Sequence, residues 1–183
     1  MKKVTLLISM VCFLTATAFC QRAQEETVTV DKTNLPGFTL TFTDIDQKII
    51  SDAMQDRLSN KAGLKSSRSS GYTAYINQPF PEFGNAHYDI YYKVEKAGNR
   101  NSKISVLYFV VTKGNLNPIT TSADGQVVEN IKNFLNNFVD YAKAYDTQNN
   151  LSNMNKELEK QQKNHDKLVS KQEKLQKQAE DMQ

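Results

Sequence analysis

Two stretches of this chain carry their apolar residues on one helical stripe each, and that one-sidedness restricts the fold more than any other feature. Ile45, Ile49, Ile50, Ala53, Met54 and Leu58 recur at helical spacing in the first. Val127, Val128, Ile131, Phe134, Leu135, Phe138, Val139 and Ala142 do so in the second, with Asn130, Lys132, Asn133, Asn136 and Asn137 opposite. A helix with a single apolar side must lie on an apolar surface, and the rest of the chain offers strands for that purpose. Phe38-Thr39-Leu40-Thr41-Phe42 alternates at period two. Tyr72 to Ile76 follows a polar turn at Ser66–Gly71. In the next strand Tyr88, Ile90, Tyr92 and Val94 line one face, while His87, Asp89, Tyr91, Lys93 and Glu95 line the other. Ile104 to Val111 is almost continuously apolar. That pattern suits a central strand covered on both faces, or one that keeps a face for an outside contact.

The predicted order is β-α-β-β-β-α, an α+β fold. It reads as a two-layer α/β sandwich with both helices on one face of a mainly antiparallel sheet, and no predicted helix covers the opposite face. Thr43 or Asp44 is the expected cap of the first helix and Gly63 its left-handed stop; the second helix should begin near Ser122 or Asp124. The sandwich occupies 38–145, after a polar leader over 21–37 in which only Thr27–Val30 resembles a strand.

Residues 1–20 read as a secretory signal peptide. Lys2 and Lys3 precede an uncharged apolar run from Val4 to Phe19, with small residues at Ala16, Thr17 and Ala18. The predicted location is therefore the periplasm or cell envelope. Cleavage after Ala18 and cleavage after Cys20 both fit. Lipidation of Cys20 would tether the chain to a membrane, although the bulky Phe19 before it argues against that. Both cysteines, Cys12 and Cys20, fall inside this segment, so the exported chain is expected to have no disulfide, thiolate metal site or cysteine nucleophile. Losing Lys2 and Lys3 takes the net charge from +3 to +1, which gives no footprint for nucleic acid.

The tail obeys a different periodicity. From 151 to 183 the sequence can be written in heptads, with Leu151, Leu158, His165, Gln172 and Ala179 at a and Met154, Gln161, Leu168, Leu175 and Met182 at d. Polar seats among these positions make a weak coiled-coil-like seam. The seam is out of phase by one residue with the stripe of the preceding helix, so a hinge is predicted at 146–150.

Signals for chemistry are sparse. His87 and Asp89 share a strand face, but two ligands do not make a metal site, and the remaining histidine, His165, sits in the tail seam. There is no nucleophile elbow and no phosphate-cradling glycine loop. No catalytic residue, metal or cofactor is predicted. Two contact surfaces are. Phe80 and Phe83, held by Pro79 and Pro81, either form a stiff contact loop or fold inward to plug the sandwich. Tyr75 and Tyr91 are the candidates for an exposed patch on the open sheet face.

This order of elements, the tyrosine-rich central strands and the Lys/Glu/Gln/Asn tail resemble small exported proteins of Gram-negative, Bacteroidota-type bacteria. The resemblance is one of layout and implies no functional residues. The expected function is that of a non-enzymatic envelope interaction protein, its partner an envelope protein or, through the tail, a second copy of itself. The alternative is a small-ligand or glycan-binding module built on the tyrosines.

Overall fold

A computed structural model describes residues 22–98 and 103–181, so the signal segment with Cys12 and Cys20, and the seam residue Met182, lie outside the described residues. The chain divides into two compact units, Met1–Ala142 and Lys143–Gln183. The elements are β1 (Gln24–Val30), β2 (Thr33–Thr43), α1 (Gln47–Gln55), a π-helical turn (Asp56–Lys61), β3 (Ser67–Ser69), β4 (Tyr72–Pro79), β5 (His87–Ala97), β6 (Ile104–Thr112) and α2 (Thr121–Glu180). The strands form one six-stranded sheet in the order β1-β2-β6-β5-β4-β3, antiparallel throughout.

Within the first unit α1 and the opening part of α2 lie on the same face of that sheet, as the one-sided stripes require. Tyr92 and Phe109 are register partners and therefore point the same way. The Tyr92 hydroxyl reaches the Ser51 carbonyl of α1 at 3.4 Å, and the Phe109 ring lies 5.9 Å from Phe134 of α2. Asp46 caps α1, its carboxylate accepting from the Lys48 N–H at 2.8 Å. The cap falls two residues after Asp44 and three after Thr43, the predicted alternatives, because Asp44 first turns the chain at φ 66° and donates its N–H to the Lys103 carbonyl. Gly63, at φ 74°, ends the helical segment as expected. Asp124 is non-helical within α2. It therefore separates a short first turn from the helix proper.

Two predicted boundaries need correction. The polar leader 21–37 is not a loose arm, because it supplies β1 and the first half of β2. Asp31 and Lys32, both at positive φ, close this hairpin as a two-residue turn. Pro36 is accommodated because β2 pairs with β6 only from Phe38 onward. The hinge expected at 146–150 is helical instead. A phase offset between two apolar stripes changes which side is apolar without breaking hydrogen bonds, and the segment contains no glycine or proline.

The face away from the helices is not open either. Tyr72 of β4 donates its hydroxyl to the Thr29 carbonyl of β1 at 2.9 Å, and Ser70 donates to the Asp31 carboxylate at 2.9 Å. Three strands separate β1 from β4, which in a flat sheet would put them about 19 Å apart. The sheet must therefore curl until its ends meet. The concave side holds a second apolar cluster of Val28, Val30, Leu35, Tyr72, Ala74, Tyr91 and Val110.

Gly37 permits that curl. A Cβ there would meet Val28 Cγ2 and Val110 Cγ2 at 2.9 Å and the Phe109 carbonyl at 3.0 Å. Gly37→Val is expected to cost about 1–3 kcal/mol by overpacking, read as a lower urea midpoint. A second expectation concerns acid. Asp56 accepts hydrogen bonds from Tyr141 and from Asn60, which hold its carboxyl below its usual value of 3.8. A depressed folded value gives stability that is present above the unfolded value and lost as pH falls through the folded one. Tyr141→Phe should therefore flatten the acid limb of stability against pH, measured by urea unfolding at a series of pH values.

Candidate functional site

The four aromatic residues proposed as contact points are all buried. Phe80 and Phe83 take the inward alternative. Their rings stand 4.5 Å apart, at 5.5 and 5.4 Å from Phe134. Asn130 donates to the Phe83 carbonyl at 3.2 Å, and Glu82 is paired with Arg57, whose guanidinium lies over Phe134 and Tyr141. The prolines stiffen a plug, not a docking loop.

Tyr75 and Tyr91 do not even share a face. Tyr75 pairs in register with Ile90, and Ala74 with Tyr91, so Tyr75 points toward the helices. There it stacks on Tyr92 and shares a hydrogen bond with Ser59 at 3.0 Å. Tyr91 belongs to the concave cluster. His87 is exposed, whereas Asp89 is buried and accepts the Asn77 N–H at 2.7 Å, at the irregularity between Tyr75 and Gln78. Among the described residues no group of three or more His, Cys, Asp or Glu could hold a metal ion, and no helix is long and apolar enough to cross a membrane.

Among the described residues, two features are open to a partner or ligand. The first is a polar hollow of about 490 Å³ where β3, β4, β5 and α1 meet, lined among others by Ser51, Arg68, Ser69, Thr73, Tyr92 and Lys93. Lys93 lies between the rings of Tyr72 and Tyr108, and its hydrogen bond to Glu95 raises its pKa. Burial raises the Tyr72 hydroxyl and pushes that of Tyr92 up to about 12. By strand alternation Arg68 and Thr73 face the same side as Tyr92, whereas Lys93 and Tyr72 point to the opposite side, so the hollow offers one cation and hydroxyl groups, a lining suited to an anionic or polyhydroxylated small molecule. Its residues come from four separate elements, and Ser66–Gly71, read as a polar turn, carried no sign of it in the sequence.

The second feature is the seam of the tail. From Lys143 onward the helix has neither glycine nor proline and is rich in Lys, Glu, Gln and Leu, which are strong helix formers. Lys160 lies 3.8 Å from Glu157, and Gln162 donates to Asp166 at 2.9 Å, ties that support a solvated helix. Leu151, Met154, Leu158, Leu168 and Leu175 are 56–68% exposed, and His165 between them is exposed as well. These are six of the predicted a and d positions; Gln161, Gln172 and Ala179, at the others within the described residues, are exposed too. These large apolar side chains lie along one line of the helix in water, in two groups separated by the polar seats Gln161 and His165.

In comparisons with known proteins, no family model, no curated protein and no solved structure matches this chain.

Proposed function

We propose that this chain is a non-enzymatic exported protein of the cell envelope that acts through self-association of its helical tail. One observation carries the reading, the row of solvent-exposed leucines at heptad spacing over 151–175. Burying a leucine side chain is worth about 1.5–3 kcal/mol, so a helix that leaves four of them in water gains from a partner. The layout of residues 1–20 supports export. The compact unit supports a structural part for itself, because its aromatic residues are spent on its own two cores and its buried Asp89 on a backbone N–H. Lysine at two seam positions, Leu158→Lys with Leu168→Lys, should convert an associating species to monomer in sedimentation while circular dichroism keeps its helical signal. Equal sedimentation of both proteins would remove self-association from the reading.

The polar hollow favours a second reading, a small-ligand module that recognises an acidic saccharide. A thermal-shift screen with neutral and uronic-acid sugars tests it, since a ligand bound only by the native state raises Tm. The expected result under this reading is a rise with the acidic sugars that is lost in Arg68→Ala. No rise with either class would set it aside.

A further inference from the structure

The pattern along the exposed seam goes further than association, because it distinguishes how two tails would lie. This inference rests on the self-association just proposed. We infer that two copies pair through their tails as an antiparallel coiled coil centred near Lys163. In that register Leu151 of one copy faces Leu175 of the second and Leu158 faces Leu168, each contact occurring twice. Every exposed seam leucine then meets a leucine. Sliding the antiparallel pair by one heptad either way sets Leu158 against Gln161 or Leu168 against His165.

Apolar matching alone does not select the antiparallel arrangement, because a parallel in-register pair stacks each leucine and Met154 on its own copy, whereas the antiparallel register sets Met154 against Gln172. Charge and polarity at the seam do decide. With this heptad assignment Glu157 and Lys171 occupy g positions. Antiparallel helices bring g beside g, so Glu157 of one copy faces Lys171 of the second, twice in the dimer. Parallel helices bring g beside the following e, which sets Glu157 against Gln162 and gives neither charge an opposite partner. The central seats agree. Antiparallel pairing puts each His165 imidazole beside a Gln161 amide, which can both donate and accept, whereas parallel pairing stacks His165 on His165. Acidic residues at positions facing basic ones across an interface select orientation as well as partner. The two Leu151 residues would then sit about 36 Å apart along the rod, at 1.5 Å per residue.

Disulfide trapping in the full chain, with Cys12→Ser and Cys20→Ser, distinguishes the arrangements. Leu151→Cys and Leu175→Cys variants of different tag length are oxidised alone and mixed. Antiparallel pairing predicts a cross-linked heterodimer in the mixture, at least about tenfold above either homodimer, because only that pair comes within the Cα separation a disulfide spans. Efficient cross-linking of Leu151→Cys to itself would overturn the proposal in favour of parallel chains. A charge swap supplies an independent reading without cysteines. Glu157→Lys should weaken the dimer about fivefold by setting lysine against lysine, and Glu157→Lys with Lys171→Glu should restore it. Failure of that restoration in a protein that still sediments as a dimer would overturn the register while leaving self-association intact. A chain that sediments as monomer at every concentration would remove both.

Discussion

The compact unit depends on a sheet that curls far enough for its first strand to touch its fourth. The Tyr72 hydroxyl on the Thr29 carbonyl, with Ser70 on Asp31 beside it, joins two hairpins that the strand order keeps apart. Neither bond is strong alone, since a net hydrogen bond contributes about 0.5–1.5 kcal/mol. What they fix is the closure beneath which Val28, Leu35, Tyr91 and Val110 leave water. The missing Cβ at Gly37 lets Val28 and Val110 approach one another across β2. One sheet thereby serves two cores, which gives a chain with no cysteine among its described residues more apolar burial than a flat two-layer sandwich would.

On the convex side the same sheet meets the helices through aromatic rings. Phe83 touches Phe80, Tyr88, Phe109 and Phe134 at ring distances of 4.5–6.2 Å. Edge-on packing of this kind adds about 0.5–1.5 kcal/mol per pair beyond the area buried. Arg57 covers the rim of the cluster and pairs with Glu82, so the loop between β4 and β5 is held from both ends. The compact unit turns its rings inward and leaves Ile76 and Ile104 exposed, while the longer series of exposed apolar residues among those described lies in the tail.

Much of this architecture was legible in the sequence, and what was missed has a physical cause. The two helical stripes and the alternation over 87–95 identified the helices, their common face and the inward side of β5, because periodicity is a local property. The strand-like run Thr27–Val30 was set aside as part of a leader because it is short, follows two glutamates and pairs with a segment containing Pro36. The exposure assigned to Tyr75 failed on register, where a slip of one residue exchanges the faces. Phe80 and Phe83 were open to either reading until Phe134 was placed beside them by a helix some fifty residues later in the chain. The tail was legible as a helix because strong helix formers fill it and no glycine or proline interrupts it.

The sheet's two borders have a consequence for how these molecules can meet. One border is β3, only three residues long, and the other is β1, which carries Glu25 and Glu26 and is tied to α2 through Lys132. A stub and a charged, anchored margin make poor templates for a neighbour's backbone. Strand-to-strand stacking into fibres is thereby discouraged at both borders of the sheet.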